Sequence, residues 1–120
     1  MFVGAGARHS GVMKRVLSAT FLASAACLAQ ASDVPPEPRR SELVNMVRQD
    51  CGSCHGLTMK GGLGPPLLPS AIAGRDPELL RAIILYGLRG TAMPPWRPFF
   101  TDAEAAWIVK TLKEGLPDAR

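Results

Sequence analysis

Cys51-Gly52-Ser53-Cys54-His55 sets two thiols one helical turn apart and an imidazole directly after the second. At that spacing the thiols add across the two vinyl groups of one porphyrin while the adjoining imidazole reaches its iron, so covalent haem c is the reading of the motif. Other uses of a Cys pair fit less well. A redox dithiol expects a strand before the motif and a βαβ pattern around it, and neither is seen. A zinc site needs four ligands, yet beyond the first 31 residues the chain has no other Cys or His. A plain disulfide leaves His55 without a role.

The N-terminal end supports the haem reading. Residues 1–15 carry Arg8, Lys14 and Arg15 with no acid, Val16 to Ala29 is apolar or small, and Ala29-Gln30-Ala31 has the small-x-small form of a signal-peptidase site. Residues 1–31 therefore read as a cleavable signal peptide and the protein as periplasmic, on the side of the membrane where haem is attached. An uncut anchor is disfavoured by the shortness of the apolar run. Acylation of Cys27 is disfavoured because Ser24 stands where a lipobox wants Leu. Met13-Lys14-Arg15 is an alternative translation start.

Of the formal charge of +4 over 120 residues, three positive charges belong to that segment, so the chain from Ser32 sums to about +1. Its basic residues are scattered among acids, which removes the support for a nucleic-acid surface. No run is long and apolar enough for a polytopic membrane protein. One small domain is all the length allows.

Residues 32–40 are Pro-rich and charged, an extended leader, with the domain at 41–116 and a tail at 117–120. Ser41 is placed to cap a first helix with Leu43, Val44 and Val47 on one face. Residues 56–75, rich in Gly and Pro, read as a long loop. Asp76-Pro77-Glu78 opens a second helix with Leu79, Leu80, Ile83 and Ile84 as its apolar face and Gly87 as its stop. After a second loop, Thr101 and Glu104 form a capping box for a third helix with Ala105, Ile108, Val109 and Leu112 inside and Gly115 at its end. The expected fold is all-α, three main helices joined by loops too long for a bundle held by helix contacts alone. A haem fills the middle.

His55 supplies one axial ligand, and no second His follows the signal peptide, so the other comes from Met46, Met59 or Met93. Met46 lies on the helix leading into the motif and reads as core filler, and Met59 is only four residues past His55. Met93 is separated by a loop and a helix, enough chain to round the porphyrin edge, and sits in Gly-Thr-Ala-Met-Pro-Pro-Trp (90–96), where two Pro stiffen it. His55 and Met93 are thus the expected iron ligands, with Pro94 and Trp96 in the pocket wall. A pair of this kind leaves no open position, which suits an electron carrier rather than an enzyme. No paired carboxylates or nucleophile–base pair compete with it, so no catalytic residue is assigned. A haem catalyst or gas binder would need Met93 off the iron.

The order of helix, C-x-x-C-H, Gly-Pro loop, helix, Met-Pro loop and helix resembles a class I cytochrome c over nearly the whole chain after the signal. That resemblance implies that the Pro65 carbonyl accepts the Nδ1 hydrogen of His55, that Leu67 touches haem, and that Trp107 packs between first and last helices. More narrowly, residues 54–67 together with Ala-Met-Pro-Pro-Trp and Thr-Asp-Ala-Glu-Ala-Ala-Trp resemble the small NirC-type cytochromes associated with denitrification. The narrower resemblance implies electron donation to a cytochrome cd-type nitrite reductase, or an auxiliary role in maturing that enzyme's second haem. The cytochrome c maturation machinery is an implied partner. With few Lys, the expected partner surface is apolar and weakly charge-steered, with Met59, Pro94 and Pro95 as candidate contacts.

Overall fold

The computed structural model describes residues 33–117. Residues 1–31, read as a signal peptide, with the alternative start and fates of that segment, lie outside the described residues, as do residues 118–120 of the tail. Helix α1 (Arg39–Met46) passes through a π turn (Val47–Cys51) into α2 (Gly52–His55), giving one helical run that ends on the motif. Next come α3 (Pro69–Ile72), α4 (Pro77–Tyr86) and α5 (Asp102–Glu114). Among the described residues there is no strand. Helix α5 packs against α1, α3 and α4 and is the hub of the fold.

The first helix begins earlier than Ser41. Pro36 and Pro38 offer their carbonyls to the N–H groups of Arg40 and Glu42, and the Glu37 carboxylate accepts from both the Ser41 N–H and its hydroxyl. A Glu four residues upstream therefore satisfies a first-turn donor, and Ser41 is spent inside the helix. Arg39 and Arg40, read as leader, belong to α1.

The second helix is capped as its sequence implies, with the Asp76 side chain accepting from Glu78 N and Gly87 ending it at φ +73°. Its buried face is rotated, however. Leu79 is 52% exposed while Leu85 is fully buried, with Leu80 and Ile84 packed against the core. The i, i+4, i+5 stripe of Leu80, Ile84 and Leu85 is the one α4 turns inward, which rolls Leu79 to solvent. Helix α3 interrupts what reads as pure loop. It is a single turn started by Pro69, whose fixed φ suits a first helical position, and Lys113 Nζ of α5 holds the carbonyls of Ala73 and Arg75 beyond its end.

Helix α5 carries both bonds of its capping box between Thr101 and Glu104. Ala105, Ile108, Val109 and Leu112 are buried beside Trp107, and Leu43, Val47, Leu85 and Ile108 are the largest fully enclosed side chains. The ends of α1 and α5 are tied by Arg39, whose Nε donates to Glu104 Oε1 at 2.6 Å and whose guanidinium also reaches Phe99 O at 2.9 Å. That bond is the main reason the Glu104 carboxyl lies below its ordinary value of 4.5.

A lowered folded-state pKa adds stability that is complete above about pH 4.5 and drains away as the pH falls through the folded value. Glu104→Gln is expected to lower the urea midpoint at pH 7, and the gap to wild type is expected to close as the pH is taken well below 4. Paired urea titrations across that range check it.

Candidate functional site

His55 is the last residue of α2, where helix carbonyls lose their intrahelical partners. The Gly-rich loop supplies replacements: Gly64 N donates to Cys54 O at 2.8 Å and Gly61 N to His55 O at 2.7 Å. To do so its backbone must come very close. A Cβ on Gly64 would stand 2.7 Å from both Cε1 and Nδ1 of the His55 ring, so only Gly lets the backbone lie against the imidazole. The next residue, Pro65, places its carbonyl oxygen 2.7 Å from Nδ1. A carbonyl only accepts, so Nδ1 carries the proton and Nε2 is the ring nitrogen with a lone pair to give.

Cys51 and Cys54 are both free and half-buried, Cys51 closing the π turn and Cys54 lying within α2. Burial, with a smaller push from the Asp50 charge, raises the Cys51 thiol to about 11. A redox dithiol needs a depressed thiol, and Cys51 is shifted the other way. Among the described residues no cluster of three or more His, Cys, Asp or Glu is placed to hold a metal ion.

Met93 lies in a loop folded back over the end of α4. Trp96 N and Arg97 N donate to the last-turn carbonyls of Ile84 and Leu85, each at 3.0 Å, and Leu88 N reaches Met93 O at 3.3 Å. Thr91 stiffens the turn between them, its hydroxyl donating to Leu88 O and accepting from Met93 N. Gly87 makes the fold-back feasible, because a Cβ there would sit 2.7 Å from Met93 O. Trp96 stacks on Phe100 with ring centroids 5.7 Å apart and an 18° tilt, and Pro94 is exposed. Leu67 is half-buried against the core.

Met59 is not a surface contact. It is 4% exposed, with a left-handed backbone (φ +59°), and its carbonyl accepts from Leu67 N. It pins the loop from within. The sequence carries little sign of this, since a Met in a Gly-rich stretch looks like a loop residue, and only its place in the core cluster buries it. The π turn before Cys51 is likewise unmarked in sequence.

The donor set is two free thiols one turn apart, an imidazole with Nδ1 engaged, and a thioether on a fastened loop. These residues fit haem c. Residues 39–110 match the family model described as Cytochrome C oxidase, cbb3-type, subunit III. Cytochrome c55X of Paracoccus denitrificans (strain Pd 1222) is 56% identical over 78 residues, covering 65% of this chain and 76% of that protein. A solved c-type cytochrome NirC matches with a TM-score of 0.65 and 45% identity, over 67% of this chain and 94% of that one. Dihydro-heme d1 dehydrogenase of Pseudomonas aeruginosa is 36% identical over 75% of this chain, which spans 17% of that longer protein.

Fold and site define a c-type cytochrome that carries one covalent haem c and moves electrons between redox partners. Within that class the chain belongs to the cytochrome c55X family of NirC-type monohaem cytochromes.

The fold-back over α4 makes Gly87 the more demanding of two left-handed glycines in this arm. Gly90 (φ +80°) has nothing within 4 Å of a built Cβ. Gly90→Ala is expected to cost about 1 kcal/mol, the strain of a left-handed Ala alone. Gly87→Ala is expected to cost about 2–3 kcal/mol, because Met93 must also shift. Guanidinium unfolding of the two holoproteins measures the difference.

Proposed function

We propose that this protein is a periplasmic electron carrier in which Cys51 and Cys54 form the thioether links, His55 and Met93 are the axial ligands, and a cytochrome cd-type nitrite reductase is the acceptor. The observation that carries the ligand reading is the 2.7 Å contact of His55 Nδ1 with Pro65 O, which leaves Nε2 free and fixes the plane of the ring. When bound, the haem supplies a one-electron iron couple. The chain's own part would be to hold His55 and Met93 toward the iron with little freedom to move. His55 is held by Pro65 and Gly64, and Met93 by the bonds that tie its loop to α4. A site with two protein ligands has no place for substrate, and a thioether raises the potential relative to a bis-His haem. Among the described residues no helix is long and apolar enough to cross a membrane.

A second reading, an auxiliary role in maturing the reductase's other haem, draws support from the similarity to a protein named for dihydro-haem d1. Both readings use the same fold, and they part on the acceptor.

Met93→Ala is expected to abolish the weak sulfur-to-iron band of the oxidised spectrum, to lower the reduction potential and to let carbon monoxide bind the reduced form. Met59→Ala is expected to lower stability and leave all three unchanged. Survival of the band in Met93→Ala would overturn the ligand assignment.

Stopped-flow mixing of the reduced protein with the nitrite reductase of the same organism tests the partner. Direct oxidation at a rate only weakly dependent on added salt is expected, since the chain after the signal sums to about +1 and four of its Arg are paired with carboxylates. No transfer would favour the maturation role.

A further inference from the structure

Arg97 leaves the Met93 loop with its backbone N–H on Leu85 O and its guanidinium on Asp102 Oδ2. The other oxygen of Asp102 accepts from Arg81 Nη1 of α4 at 2.7 Å, and Arg81 also holds Glu78 one turn back. One carboxylate at the start of α5 therefore joins three parts of the molecule: α4, the exit of the Met93 loop, and α5 itself.

We propose that Asp102 is a positioning residue for the sixth iron ligand, holding Arg97 and Arg81 on its two oxygens so that the exit of the Met93 loop stays closed against α4. The inference rests on the reading of Met93 as that ligand. The entry of the loop is fastened by its own backbone, through Gly87 and the Leu88–Met93 bond. The exit depends on side chains as well. Trp96 stacks on Phe100, and Arg97 is clamped by Asp102. A single exposed ion pair is worth a fraction of a kcal/mol, but a carboxylate shared by two guanidiniums orders both at once. Release of a thioether also needs only a local opening of the loop, so a contribution too small to alter global unfolding appears directly in ligand exchange.

The test is the rate at which saturating cyanide displaces the thioether in the ferric holoprotein, followed by loss of the sulfur-to-iron band. Asp102→Asn is expected to raise that rate by about three- to ten-fold, with Asp102→Glu returning it toward wild type. Arg97→Gln is expected to give the same rise, and the double variant no more than either alone. Glu78→Gln removes a partner of Arg81 but leaves Arg97 clamped, so it is expected to exchange like wild type. Glu104→Gln weakens the same helix end through Arg39 without touching Arg97, and is also expected to exchange like wild type. Exchange at the wild-type rate in Asp102→Asn, or an equal rise in Glu104→Gln, would overturn the positioning role. A wild-type ferric spectrum with no sulfur-to-iron band would overturn the ligand reading together with this inference, whereas a normal band with unaltered exchange in Asp102→Asn overturns this inference alone.

Discussion

Two helix C-termini, those of α2 and α4, leave carbonyls without intrahelical partners, and the way these are capped organises the chain around His55 and Met93. A buried carbonyl without a partner costs about 1–3 kcal/mol, so the chain that follows each helix must return and cap it. After α2 the return is made by Gly61 and Gly64, and the same turn brings Pro65 O onto the His55 ring. After α4 it is made by Trp96 and Arg97, and the loop closed in this way contains Met93. Both side chains read as iron ligands are thus placed by segments whose first task is capping.

The two returns differ in what allows them. On the His55 side close approach is the requirement, with the Gly64 backbone against the imidazole and Gly62 against Cys54 O, where a Cβ would come within 2.8 Å. On the Met93 side one glycine, Gly87, gives way to Met93 O, and the rest is done by Pro94, Pro95 and the stack of Trp96 on Phe100. Rigidity at the two proposed ligands would serve electron transfer, because a site that barely moves on reduction has little reorganisation to overcome. Helix α5 reaches the region after α3 through Lys113 and the exit of the Met93 loop through Asp102.

Much of the architecture is legible in the chain as written. Asp76 and Thr101 with Glu104 are local caps, dependent on residues two or three apart, and the structure shows each of them bonded. The inner stripe of α5 follows from a 3.6 period with a core on one side. The departures occur where distant chain decides. Glu37 extends α1 backwards past Ser41, α4 is rotated so that Leu85 and not Leu79 is inside, and Met59 is buried in the core cluster. Arg39–Glu104, 65 residues apart, has no trace in a local pattern.

By itself the sequence determined that a haem is attached, that the domain is helical with Gly and Pro loops between helices, and which histidine and methionines were available to the iron. Motif spacing, caps and periodicity are properties of neighbouring residues, and these follow from them. Only the tertiary structure decided that the Gly64 backbone lies against the His55 ring, that Met59 is enclosed, and that one carboxylate on α5 clamps the exit of the Met93 loop. Each of these depends on where a returning backbone lies relative to a helix end, and that position is set by packing across the whole fold.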